Sequence, residues 1–252
     1  MPMKSTPFRF IAVLALAILA ATRTFAAEPA IIAKARARLG SDAVLDALKS
    51  VHYVGTLTVK DAADPKKVVT QSIEIYLQKP ARQRIEVTSA DSRDVSVLDG
   101  YDAWQRTTDL KTKQWRQSVF SAVQIKGLRS DVWENLSYFR GIEKVGGWVK
   151  DFGPATVDGI ACQKLGFYHS EALVYFRYID VTTGRLVMTG TDDNATREEG
   201  EVFSGGIRFP RTMTITRKDG GKTLIQTITF EKVTVNETFP DSLFATPLAT
   251  VN

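Results

Sequence analysis

The chain has 252 residues, 44% hydrophobic and 24% charged, with a formal net charge of +5. This is a globular composition, and the length fits one or two domains, since β-barrels commonly reach roughly 200–250 residues as one unit. The charge shrinks further once the leader described next is removed, leaving little long-range pull on a phosphate backbone, so nucleic acid is not an expected partner.

Residues 1–26 read as a cleavable secretory signal peptide. Lys4 and Arg9 form a basic start, and Phe10 to Ala21 is an apolar run shorter than the about 20 residues that span a bilayer. Thr24-Phe25-Ala26 then supplies small residues at the −3 and −1 positions before Ala27. Cleavage removes Lys4, Arg9 and Arg23 and leaves 30 basic against 28 acidic residues, a net charge of +2. No integral membrane segment is expected after cleavage, and in a diderm bacterium the destination is the periplasm. The single Cys162 permits no internal disulfide and reads as a buried small hydrophobe in a strand from Ile160 to Tyr168.

Residues 28–50 predict two short helices. Pro29 opens the first, Ile31, Ile32, Ala35 and Leu39 give it one apolar face, and Gly40 closes it as a left-handed cap. Ser41 or Asp42 caps the second. Lys34, Arg36, Arg38 and Lys49 are expected on solvated helix surfaces. From Val51 the period changes to two. Strands follow over Val51–Lys60, Val69–Lys79, Gln83–Ser89, Ser92–Leu98, Tyr101–Thr108 and Gln114–Ser118, each with one apolar face and with an Asp99-Gly100 turn.

Residues 119–146 interrupt the strands. Ser130 or Asp131 is the expected cap of a helix running to about Arg140, and Trp133, Leu136 and Phe139 make the segment aromatic and apolar enough for a lid over a cavity. Strands then return, with an Asp158-Gly159 turn before the Cys162 strand and a breaker at Gly153-Pro154. Glu171 to Gly190 predicts a hairpin turning at Thr182-Thr183-Gly184. Leu173, Tyr175 and Ile179 point one way and Val174, Phe176 and Tyr178 the other, so both faces need cover. Val174, Phe176 and Tyr178 are the expected cavity face. Arg177 interrupts the opposite face, and an unpaired buried guanidinium is costly, so it is assigned either an ion pair with a neighbouring strand or a headgroup-binding place at a cavity rim. Residues 192–200 read as an exposed polar loop. Ile207–Arg217 and Leu224–Val235 complete about 10–12 strands around the Asp219-Gly220-Gly221 turn, the pattern of an antiparallel barrel or sandwich.

Catalytic and metal signatures do not assemble. His52 and His169 stand alone on separate strands, with no G-x-S-x-G elbow, no H-E-x-x-H site and no Cys-x-x-Cys pair. Asp192-Asp193-Asn194 lacks the glycine and distal Glu of a calcium loop. Neither an enzyme, a cofactor nor a metal is expected.

The opening AIIAKARARLGSDAVLDALKSV, the first strand VHYVGTLTV and the meander IEIYLQKPARQRIEV resemble the LolA-like group, the periplasmic outer-membrane lipoprotein carriers and their relatives. The later phrases VDGIACQKLGFY, YIDVTTGRLVMTG and VNETFPDSLFATP extend that resemblance over nearly the whole of residues 27–252 as one lipid-binding domain. The resemblance implies an unclosed, strongly curved antiparallel half-barrel, with short N-terminal helices and a helical lid over an apolar cavity. It implies a monomeric carrier or chaperone of lipoprotein acyl chains or another lipid, working between an inner-membrane ABC exporter and an outer-membrane receptor. The same resemblance leaves open an envelope-stress sensor or protein-interaction module.

Overall fold

The alternation that begins at Val51 becomes one long antiparallel sheet. A computed structural model describes residues 28–191, 194–219 and 222–247. The expected leader, Asp192-Asp193 and the glycines of the Gly220-Gly221 turn lie outside the described residues. Helices α1 (Ala30–Leu39) and α2 (Asp42–Asp46) precede strands β1 (Ser50–Asp61), β2 (Asp64–Gln78), β3 (Arg82–Thr88), β4 (Ser92–Asp99), β5 (Asp102–Asp109) and β6 (Trp115–Val119). Helix α3 (Ala122–Leu136) leads to β7 (Trp148–Val157), β8 (Ile160–Ser170), β9 (Leu173–Asp180), β10 (Leu186–Thr191) and β11 (Asn194–Glu199). The short strands β12 (Val202–Ser204) and β13 (Ile207–Phe209) form a separate ribbon, and β14 (Thr212–Asp219) and β15 (Lys222–Val235) close the order.

Thirteen strands lie in the order β6-β5-β4-β3-β2-β1-β15-β14-β11-β10-β9-β8-β7. The chain descends to one edge at β6, crosses the sheet through α3, starts again at the opposite edge with β7, and winds back until β15 pairs with β1. Because α3 lies between the two edges, they never meet, and the sheet is curved but unclosed, as the resemblance implies. No helix among the described residues is long and apolar enough to cross a membrane.

The inner face carries the core. Tyr53, Leu57, Ile73, Leu77, Ile228 and Phe230 pack under Val132 and Leu136 of α3. A second cluster joins Ile32 and Ala35 of α1 to Leu165, Phe167 and Ile179 of β8 and β9. Cys162 is buried on the outer side with Val157 and Val187, and burial raises its thiol pKa.

Several local expectations are corrected. Helix α3 starts at Ala122, not near Ser130, because Ser121 and Gln124 form a capping box well upstream. It stops at Leu136 because Tyr138 and Phe139 turn into the left-handed region, with φ of 46° and 73°. Gly40 closes α1 in extended backbone, φ 167°, not as a left-handed cap. Arg36 is 1% exposed, not solvated: it pairs with Asp42 and Asp46, both at 2.7 Å, and donates to the Tyr138 carbonyl at 3.0 Å. Gly153-Pro154 does not break β7, since a bulge between Asp151 and Gly153 carries the ladder past it. Within the stretch read as a polar loop, Asn194–Glu199 pairs with β14, and Pro210 divides the expected Ile207–Arg217 strand into β13 and β14.

Candidate functional site

Alternation along β9 sends Tyr175, Arg177 and Ile179 to the inner face, where α3 brings two carboxylates to meet them. Arg177 Nε lies 3.0 Å from Glu134 Oε2, with Nη2 in closer contact with the same oxygen. Glu134 Oε1 is 2.8 Å from His169 Nε2, and the Tyr175 hydroxyl donates to Asp131 Oδ1 at 2.5 Å. The Arg177 guanidinium also stands 5.1 Å above the Phe139 ring. The side chains of Glu134, His169 and Arg177 are 4%, 6% and 9% exposed, so the pair is dry and its geometry holds α3 against the sheet. Burial raises the Asp131 pKa above the ordinary carboxylate range, against the lowering effect of the Tyr175 hydroxyl. Arg177 therefore finds its ion-pair partner on a helix, not on the neighbouring strand, where it donates only to the Thr189 hydroxyl at 3.3 Å.

Beside this network lies a cavity of about 440 Å³ between α1, the end of α3 and the inner face of β1, β9, β11 and β14. Leu39, Tyr53, Phe139, Leu186, Phe209 and Met213 supply its apolar wall. Tyr138 and Phe139 also line it, and they are consecutive non-glycine residues with positive φ. Such conformations cost of order 1–3 kcal/mol each and persist where the surroundings hold them. Here the hold includes buried Arg36, which binds the Tyr138 carbonyl.

Polar groups also enter this wall, among them Arg177, Glu134, Asn135, Glu198 and the Tyr138 hydroxyl. Arg177 is already neutralised by Glu134. Glu198 on β11 is half-buried, and among the described residues no hydrogen-bond donor reaches its carboxylate; desolvation raises its pKa, against the lowering pull of Arg177. The Tyr138 hydroxyl is buried with no partner among the described residues. Burial pushes Tyr53 and Tyr138 above the ordinary phenol range, and the Glu198 charge adds to it. At the mouth, Glu201 binds both Arg38, at 3.0 Å, and Arg208.

The residues predicted from sequence divide. Phe139 and Arg177 line the cavity. Trp133 packs against Phe167 and His169 beside it, and Leu136 is fully buried in the core under α3. Val174, Phe176 and Tyr178 point to the outer face, as their pairing with Tyr168, Gly166 and Lys164 of β8 requires. Tyr53 and Glu198 had no distinguishing signal: Tyr53 looked like any inward residue of β1, and Glu198 sits in a polar run without apolar alternation. His52 stacks on Tyr76 at 4.1 Å between Glu74 and Glu237, far from the His169 network in the sheet order. No group of three or more metal-binding side chains occurs among the described residues.

An open sheet crossed by a helix over a cavity is the architecture of the LolA-like fold, and solved structures bear this out. LolA superfamily protein NE2245 from Nitrosomonas europaea matches with a TM-score of 0.56 at 11% identity, over 86% of this chain and 96% of that one. A DUF1329 family protein from Desulfovibrio piger matches with a TM-score of 0.55 at 13% identity, over the same shares of each chain. A domain named for outer membrane lipoprotein sorting, from Vibrio parahaemolyticus, gives 0.50 at 11% identity, over 85% of this chain and 94% of that one. No protein-family model matches the sequence, and no curated protein matches it.

Proposed function

We propose that the protein is a carrier that holds an acyl chain or another lipid in the cavity beneath α3, without converting it. The observation that supports this most is a cavity at the end of α3 with an apolar wall of Leu39, Tyr53, Phe139, Phe209 and Met213. Its about 440 Å³ falls within the roughly 300–1,000 Å³ usual for small-ligand sites. Each CH₂ taken from water contributes about 0.8 kcal/mol, so a chain of ordinary length is held without covalent chemistry. The unpartnered Tyr138 hydroxyl and the Glu198 carboxyl offer hydrogen bonds to a polar end of the guest. In this reading the leader at residues 1–26 delivers residues 27–252 as one domain to the periplasm, and the cargo includes lipoprotein acyl chains passed from an inner-membrane exporter to an outer-membrane receptor.

Native mass spectrometry of protein purified without detergent tests it. The expected spectrum shows a lipid-sized adduct, and Met213→Trp, which fills the cavity, loses that adduct while keeping the far-UV spectrum. A uniformly empty protein that also takes up no acylated peptide overturns the reading.

A further inference from the structure

The face of β9 that does not look into the cavity forms a second apolar surface. Trp148 stacks on Tyr168 with ring centroids 5.0 Å apart and planes at 7°. Phe152 meets Phe176 edge-on at 5.4 Å. These rings gather around Gly166, where an added Cβ would come within 2.8 Å of Phe152 and 2.9 Å of Tyr168, so glycine leaves the slot that the aromatics fill. Lys164 Nζ lies over Phe176 at 4.3 Å and over Phe152 at 5.3 Å, and Lys150 Nζ over Phe152 at 4.9 Å. Neither lysine makes an ion pair with a described residue. Asp151, the nearest carboxylate along β7, instead binds the side chain of Gln163 and the Gly153 N–H. Trp148 is 43% and Phe152 39% exposed, and Val145 just before them is 55% exposed.

We infer that this outer face of β7, β8 and β9 docks on an anionic lipid bilayer. Its chemistry is that of a membrane interface: Trp and Tyr rings with a polar edge sit at headgroup depth, and lysines on flexible stems reach the phosphates above them. The charge is complementary, because the described cations over these rings are lysines without ion-pair partners while anionic headgroups carry the opposite sign. A strand from a second copy is a poorer occupant. Strand β7 is an edge, but its bulge at Asp151–Gly153 and the missing N–H of Pro154 block continuation of the ladder. A fluid surface needs no such register.

Co-sedimentation of the purified protein with phosphatidylcholine vesicles, with and without phosphatidylglycerol, tests this docking. The protein is expected to pellet with the anionic vesicles and to be released as salt rises. Trp148→Ala/Phe152→Ala and Lys150→Glu/Lys164→Glu each reduce that partition by on the order of ten-fold or more. The charge-reversed pair keeps the fold intact should the aromatic pair disturb it, and Thr214→Ala, on the same outer face but away from the rings, leaves partition unchanged. Equal partition on neutral and anionic vesicles, or partition indifferent to both double variants, overturns the inference. So does a wild-type dimer, seen by light scattering, that the aromatic pair dissolves, because the occupant is then a second copy. Uptake of a fluorescent fatty acid stays at the wild-type level in both double variants, so failure to dock is distinguishable from failure to carry.

Discussion

At the β2–β5 end, the apolar outer face of the sheet lies beneath the chain's own C-terminal tail, whereas at the β7–β9 end the aromatic outer face stands uncovered by any described residue. Over the first, Phe239 and Phe244 close on Val95, Val97 and Trp104 and are 8% and 1% exposed. Arg82 ties the tail down through Asp241 at 2.7 Å and stands 5.4 Å from the Phe244 ring. Over the second, Trp148 and Phe152 remain more than a third exposed. Between the two ends the outer face is ordinary, with Thr56 and Thr58 of β1 paired to Thr229 and Thr227 of β15, and Thr212 and Thr214 of β14 beyond them. The sheet therefore has apolar ends and a polar middle, and the described residues cover one end alone. An aromatic cluster left open beside a polar middle marks a surface meant for contact, since large apolar patches otherwise favour aggregation.

The largest effect is expected at the covered end. Phe244→Ala empties a fully buried site and is expected to cost about 3–5 kcal/mol in urea unfolding; a loss below about 1 kcal/mol would mean the tail does not act as a lid there. On the inner face, Glu198 tests a different kind of exposure. Its folded pKa is raised, so the stability linked to its protonated form is present below the ordinary Glu range and is lost as pH rises through the folded value. Glu198→Gln should therefore raise the thermal midpoint at pH 7, with the gain fading as pH falls below the ordinary Glu range; a gain that does not change with pH would assign it to packing. At the open end the effects shrink. Gly166→Ala pushes a Cβ against ring edges that can move outward, and is expected to cost about 1 kcal/mol, at the low end for overpacking. Trp148→Ala, truncating a half-exposed ring, should change stability by about 0.5 kcal/mol or less while lowering vesicle partition. A cost as large as that of Phe244→Ala would show that the open patch is structural core after all.

Much of the architecture was legible in the residues. Period-two alternation located the strands from β1 to β6, because an inner face packed on a core and an outer face in water impose that period directly, while the Glu171–Gly190 hairpin was legible from its apolar run and its turn. The Thr182-Thr183-Gly184 turn was readable too, and Asp180 holds it through the Thr182 N–H at 2.7 Å and the Thr183 hydroxyl at 2.6 Å. Strand β11 was not legible, since Ala195, Thr196, Arg197 and Glu198 show no apolar alternation, and only the ladders with β10 and β14 make them a strand. The true start of α3 was not legible from the aromatic cluster at Trp133–Phe139, because the Ser121–Gln124 capping box that sets it lies well upstream of those rings.

By itself, the sequence determined that β9 is apolar on both faces and that Arg177 must find a partner, since alternation and the cost of a bare buried charge are local facts. Which face meets the cavity was decided only by the tertiary structure. Helix α3 crosses from one edge of the sheet to the other and brings Glu134 to Arg177 across 43 residues of sequence, which turns Tyr175, Arg177 and Ile179 inward. Val174, Phe176 and Tyr178 must then face out, because successive side chains of a strand point to opposite sides.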